Sequence, residues 1–256
     1  MNIRQVAAQL YTVRDFIRTA DEFAASMKKV RAIGYQAVQI SGQGPIPEGE
    51  IRRICEGEGL TICATHEGPE LIVNDPVEVV RRLDAYGCQF TAFPHPGPIP
   101  VSTLDEVQAL AARLNSAGKI LHDAGKTLTY HNHSLEFRRV GGRLILDILY
   151  NETDARYLQG EIDTYWVQHG GGDPFAWCAR MKDRLPLLHL KDYAVNDQNA
   201  PAFAEIGAGN LDWPRILAAA QSSNCQWFIV EQDTCPGDPF DSLKQSFDYI
   251  AANLAA

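Results

Sequence analysis

Eight short apolar runs recur along the chain, each ending in polar residues and each followed by a helical pattern. They are Val6–Leu10, Ala37–Ile40, Leu60–Ala64, Gln89–Phe93, Thr127–Tyr130, Leu158–Ile162, Leu187–Leu190 and Trp227–Val230. Between the first two, residues 19–34 carry Phe23, Met27, Val30 and Ile33 on one helical stripe. Three later helices open on Asp-Pro, at Asp75-Pro76, Asp173-Pro174 and Asp238-Pro239. The carboxylate there accepts from free N–H groups, and proline lacks one anyway. Strand and helix alternate with no break in composition, which predicts one α/β domain spanning residues 1–256 with a parallel sheet. Eight units in 256 residues predict a (β/α)8 TIM barrel. A doubly wound open sheet usually carries a glycine-rich phosphate loop after its first strand, and Gln9-Leu-Tyr-Thr-Val-Arg-Asp15 is not one.

A barrel gathers the ends of all its strands at one mouth, and the residues following the runs here are chemically capable. They include His66, His95, His131, His133, Asp163, His189, Lys191 and Glu231. A lone histidine or aspartate after a strand is most often a hydrogen-bonded residue or a helix cap. Their recurrence at equivalent points of successive units is what favours a shared site. Glu136, Asp163, His189 and Glu231 form the expected ligand set: three carboxylates and one imidazole, suited to Mn²⁺ first and to Mg²⁺, Co²⁺ or Zn²⁺ as well. Glu136 lies five residues past His131, so His131 and His133 are its alternatives. Lys191 is placed to hold a substrate oxygen or to pair with Asp192 or Asp163. His66 and His95 are candidate substrate contacts, and Trp166, Tyr165 and Phe93 a candidate apolar wall. Glu205 opens a G-x-G segment read as a flexible loop over the mouth, with Glu205 itself a substrate contact.

The formal charge of −9 disfavours a nucleic-acid partner. No run reaches the ~18 apolar residues of a membrane span, and the N-terminus has no long apolar stretch, so a cytoplasmic protein is expected. The six scattered cysteines, with no C-x-x-C, read as free thiols. A homo-oligomer is left open.

Taken in order, Gln9–Asp15, Val38–Gly42, Tyr130–Phe137, Glu161–Gly171, Leu187–Asp192, Glu205–Trp213 and Val230–Asp233 resemble the xylose isomerase-like barrel superfamily. The likeness is to its sugar phosphate isomerase/epimerase branch with an HNHxxEF motif. It covers the whole chain. The resemblance implies a TIM barrel with one divalent metal at its mouth. The family's later ligands fall on Asp163, His189 and Glu231. Ketose epimerases of the family carry the first glutamate within the fifth strand, where this chain has Tyr130-His-Asn-His133 instead.

The expected reaction is isomerisation or epimerisation of a keto sugar or a derivative of one, through an enediolate. Glu231, His131, His133 and Glu136 are the candidate bases, with Lys191 as a further catalytic group. A dehydratase or lyase acting on a keto-sugar, 3-keto-glycoside or inosose is the alternative, since elimination shares the intermediate. A zinc nuclease of the same fold would need a basic groove. A non-catalytic sugar-binding barrel would have no need of the metal ligands. With no phosphate-cradling glycine loop, a non-phosphorylated substrate is expected.

Overall fold

The computed structural model describes residues 1–255. Eight parallel strands close into a barrel. They are β1 Val6–Gln9, β2 Ala37–Ile40, β3 Thr61–His66, β4 Phe90–Phe93, β5 Thr127–His131, β6 Gln159–Asp163, β7 Leu187–Leu190 and β8 Trp227–Val230. Each strand pairs with its neighbours in sequence, and β8 closes on β1 through Val6↔Phe228, Ala7↔Ile229 and Ala8↔Val230. The helices around it are α1 Ala20–Ile33, α2 Glu48–Gly57, α3 Pro69–Asn74, α4 Pro76–Tyr86, α5 Leu104–Asp123, α6 Ile145–Asn151, α7 Thr164–His169, α8 Pro174–Arg180, α9 Trp213–Ser222 and α10 Pro239–Asn253. This is the (β/α)8 barrel that the alternation predicts.

Local chemistry fixes the helix ends. Thr19 and Thr103 each form a reciprocal capping box, with Glu22 and Glu106 respectively. The three Asp-Pro steps cap α4, α8 and α10 as expected. Gly87 ends α4 at φ 68°, a left-handed conformation that glycine adopts without steric cost. The sequence reading misses α3 and α7 because each has six residues, too few to show a 3.6-residue period.

Strand side chains alternate between two apolar regions. Outward ones such as Val6, Val38, Tyr130, Ile162 and Phe228 join the helices in the larger core. Inward ones form a small separate cluster, Ala7, Ala37, Cys63, Ala64, Phe90, Leu187 and Ile229. Two residues further along, the same strands turn polar groups inward: Gln9 after Ala7, Gln39 after Ala37, His189 after Leu187, Glu231 after Ile229. The barrel interior therefore passes from an apolar floor to a polar mouth at the C-terminal ends of its strands.

The polar excursion after β7 is more ordered than expected. Asp192–Val195 and Pro201–Ala204 pair as an antiparallel hairpin. The G-x-G segment then wraps the buried Asp192 carboxylate, which accepts from Gly207 N, Gly209 N, Leu211 N and Trp213 Nε1 at 2.8–3.2 Å. This corrects the reading of a flexible loop. Gly209 has no side chain because a Cβ there would collide with that carboxylate.

Two glycine-to-alanine changes separate packing from helix propensity. In α5, a Cβ on Gly118 would collide with the Tyr157 carbonyl oxygen, whereas in α2 nothing lies within 4 Å of one on Gly49. Gly118→Ala is expected to cost about 1–3 kcal/mol by overpacking, and Gly49→Ala to stabilise by up to about 1 kcal/mol through propensity. Urea unfolding checks both, and equal effects of the same sign would contradict the packing argument.

Candidate metal centre at the barrel mouth

The mouth is built from the last inward residue of each later strand. β5 contributes His131, β6 Asp163, β7 His189, and Glu231 follows β8 directly. One ligand-type atom from each lies within 4.8 Å of the others, and all four residues are buried. His189 Nδ1 is 3.1 Å from Glu231 Oε2 and 3.8 Å from Asp163 Oδ2, and His131 Nε2 is 4.0 Å from Asp163 Oδ2. Asp163 does two things: one oxygen caps α7 by accepting from Trp166 N at 2.9 Å, and the other faces the cluster. That second oxygen is buried without a hydrogen-bond partner, although the Lys191 ammonium lies 3.1 Å away, outside hydrogen-bonding geometry.

Lys191 is buried among three carboxylates, 2.6 Å from Glu231, 2.9 Å from Asp233 and 3.1 Å from Asp163. Burial works against its charge, but those neighbours outweigh it and raise its pKa. His189 behaves alike: burial opposes protonation, and Glu161 and Glu231 overcome it, lifting the imidazole to about 10. Burial pushes Asp163 up to about 6 against the pull of Lys191 and His189. His133 falls to about 3, through burial and then the Lys191 charge, so it is neutral at pH 7. Four carboxylate side chains, Glu161, Asp163, Glu231 and Asp233, lie against Lys191 and His189. The excess of acidic over basic side chains, the orphaned Asp163 oxygen and the mixed O/N donors fit a divalent cation. A His/Asp/Glu cluster able to bind metal is therefore present.

Glu136 is not brought to this group, which corrects its expected position. After β5 the chain curls into a 3₁₀ turn, Ser134–Phe137. The turn folds Glu136 back to the outer side of the strand. There it accepts from Tyr130 Oη and from His133 N, both at 2.8 Å. Tyr130 points outward because its neighbour His131 points inward. His131, kept as an alternative in the sequence reading, occupies the fifth-strand position instead. Burial raises the Glu136 carboxyl to about 7, against the two donors that stabilise its charge.

A folded-state pKa raised from 4.5 means that this group's contribution to stability is full below pH 4.5 and is lost as pH rises through about 7. Glu136→Gln has no such ionisation. It should gain on the wild type across that window, by at most about 3 kcal/mol. Thermal unfolding at pH 5 and pH 8 checks this, and a pH-independent difference would contradict it.

A cavity of about 290 Å³ opens above the cluster, lined by Tyr11, His66, His95, His133, Glu231 and Asp233 among others. The opposite end of the barrel has a larger hollow of about 580 Å³ at Gln5, Gln226 and Trp227. Its only titratable side chain is Cys225. His66 and His95 thus line the mouth. Trp166 stands beside it, its ring 5.2 Å from His133 and 5.6 Å from Lys191 Nζ. Glu205 does not line this cavity. It accepts from Ser242 Oγ of α10 at 2.7 Å.

The sequence reading gives no role at the mouth to Gln9, Gln39, Glu161 or Asp233. A signal for them exists. Gln9 closes the otherwise apolar strand Val-Ala-Ala-Gln, and Gln39 interrupts Ala-Val-Gln-Ile, both on inward positions. Asp233 follows Glu231 by two.

Inosose dehydratase from Lacticaseibacillus casei is 28% identical to this chain over 174 residues, 60% of the chain and 57% of the relative. The chain thus spans a little over half the length of the curated relatives it matches. Among solved structures, a sugar phosphate isomerase/epimerase from Parabacteroides distasonis superposes with a TM-score of 0.83 at 20% identity, covering 99% of this chain and 96% of that one. A xylose isomerase-like TIM barrel protein from Mycobacterium smegmatis, solved in complex with magnesium, gives 0.74 at 14% identity, covering 98% and 97%. The family profile described as xylose isomerase-like TIM barrel matches residues 27–253, and with that match over most of its length the chain belongs to the xylose isomerase-like TIM barrel family.

Proposed function

We propose that this protein is a divalent-metal-dependent isomerase or epimerase of a neutral keto sugar, with His131, Asp163, His189 and Glu231 as the ligands. One observation carries the reading: two groups able to exchange protons, Glu231 and His133, line the same cavity from strands separated by two others in the barrel. They approach a bound sugar from different sides. A cation at the cluster, Mn²⁺ or Mg²⁺, supplies Lewis-acid polarisation of the substrate carbonyl. Glu231 removes the proton beside that carbonyl. Lys191, fixed by its carboxylates, keeps Glu231 ionised for the task. His133, neutral at pH 7, is placed to relay a proton from solvent to the other face. Return of a proton there inverts the carbon, and return to the neighbouring carbon isomerises the sugar. The cavity lining contains no lysine or arginine to meet a phosphate, which supports an uncharged substrate.

Dehydration is a second reading. It is favoured by the likeness to inosose dehydratase. The test is a panel of neutral keto sugars and keto cyclitols in D₂O with Mn²⁺ or Mg²⁺, followed by NMR. Deuterium entering beside the carbonyl with the hydroxyls retained supports isomerisation or epimerisation. Loss of water makes the protein a dehydratase. No exchange with any member of the panel would overturn both.

A further inference from the structure

Beneath the mouth lies a second polar layer. His66 Nε2, His189 Nε2 and His131 Nδ1 stand 2.6, 3.0 and 3.4 Å from a single oxygen, Oε1 of Glu161. These four residues form another group with ligand-type atoms within 4.8 Å, sharing His131 and His189 with the mouth cluster. Whether this layer holds a second cation or supports the first depends on where the protons sit.

Hydrogen-bond polarity answers that question. A carboxylate accepts only, so Gln39 must present its amide nitrogen to Glu161, and it does so at 2.8 Å from Oε2. That orientation turns Gln39 Oε1 the other way. There it accepts from Gln9 Nε2 at 2.8 Å and lies 2.6 Å from His189 Nε2. His189 Nε2 is thus between two acceptors, an amide oxygen and a carboxylate oxygen, and must carry a hydrogen. Its other nitrogen, Nδ1, is the one that faces Asp163 and Glu231.

We propose that Glu161, acting through Gln39, is a positioning residue that keeps the proton on His189 Nε2, so that Nδ1 is presented to a cation at the mouth and the inner layer holds protons in place of a second ion. Carboxylates that orient metal-binding imidazoles through their remote nitrogen act in this way. The inference rests on the cation reading of the mouth cluster, and its test separates the two.

Glu161→Gln is nearly isosteric but breaks the order of donors and acceptors. Whichever way the new amide turns, an NH₂ group is set against His189 Nε2–H, directly or by flipping Gln39. The exchange variant Gln39→Glu/Glu161→Gln restores it at unchanged charge. The new carboxylate at position 39 accepts from Gln9, from the amide at 161 and from His189 Nε2.

The experiment titrates metal-stripped protein with Mn²⁺ by calorimetry. It also reads, by ¹⁵N NMR of metal-free, histidine-labelled protein, whether His189 Nε2 carries a hydrogen. The wild type is expected to take one ion per chain and to keep its Nε2 proton. Glu161→Gln should lose that proton and bind about 10–100-fold more weakly, and the exchange variant should recover most of the loss. Two ions per wild-type chain would overturn the proposal. So would unchanged binding and an unchanged His189 signal in Glu161→Gln, or an exchange variant as weak as the single one. A wild type that takes no ion defeats the cation reading alone, and the NMR comparison still decides the role of Glu161.

Discussion

Lys191→Met should destabilise the protein by about 3–5 kcal/mol near neutral pH, because it leaves buried carboxylates without their countercharge. Lys191 is fully buried and touches Glu231, Asp233 and Asp163 at 2.6–3.1 Å. The cost should depend on pH, and the sign follows from Asp163. Its folded-state pKa already stands at about 6 against 3.8, with burial the largest cause and Lys191 the chief opposing one. Removing the ammonium raises it further. A carboxyl with a raised folded pKa contributes stability that is present below its unfolded value and lost as pH rises through the folded one. The variant should therefore approach the wild type near pH 4 and fall furthest behind above pH 7. If the mouth binds a divalent cation, adding Mn²⁺ restores part of the loss by mass action, since the ion supplies the missing charge. Urea unfolding at pH 5 and pH 8, with and without Mn²⁺, measures all of this. A penalty independent of pH would show that the ammonium is not what holds these carboxylates.

Glu231→Gln is expected to cut solvent deuterium exchange into a keto-sugar substrate by about 10²–10⁴-fold, the usual contribution of a positioned general base. The shape is kept, and the amide can still accept from Lys191. What is lost is the charge that takes the proton. That charge is stabilised locally. Burial pushes the Glu231 pKa up, but Lys191 and His189 outweigh it and hold the group well below the usual carboxylate range. Because Glu231 also stands in the proposed ligand set, the rate must be measured at saturating metal. A fall in kcat there, with KM little changed, separates loss of the base from loss of the ion. A variant that retains kcat within about threefold would remove Glu231 from the role of base, since a change of that size is below 1 kcal/mol in the barrier.

Much of the fold is legible along the chain because its signals are local. Thr19 and Thr103 with their glutamates, and the three Asp-Pro steps, mark helix starts within a few residues. Strands such as Ala37–Ile40 and Leu187–Leu190 stand out as short apolar runs between them. Eight such units leave few ways to bury a sheet on both faces, and closing it is one of them. The positions of Asp163, His189 and Glu231 could be read for the same reason, since each sits at or just past the end of its strand.

Tertiary structure alone decided what these residues touch. Glu136 and His131 are five residues apart, and composition favours the carboxylate at a hard-cation site. The turn after β5 nevertheless sends Glu136 outward to Tyr130, leaving His131 facing the axis. Gln39 meets Glu161 and His189 across 122 and 150 residues of sequence. No local pattern encodes such a meeting, because it exists only once the strands have closed in one register and brought their inward faces to a common centre. The sequence by itself determined the strand–helix order and which residue types stand at the strand ends. Barrel closure decided which of them meet, which stay buried without a partner, and how their charges are balanced.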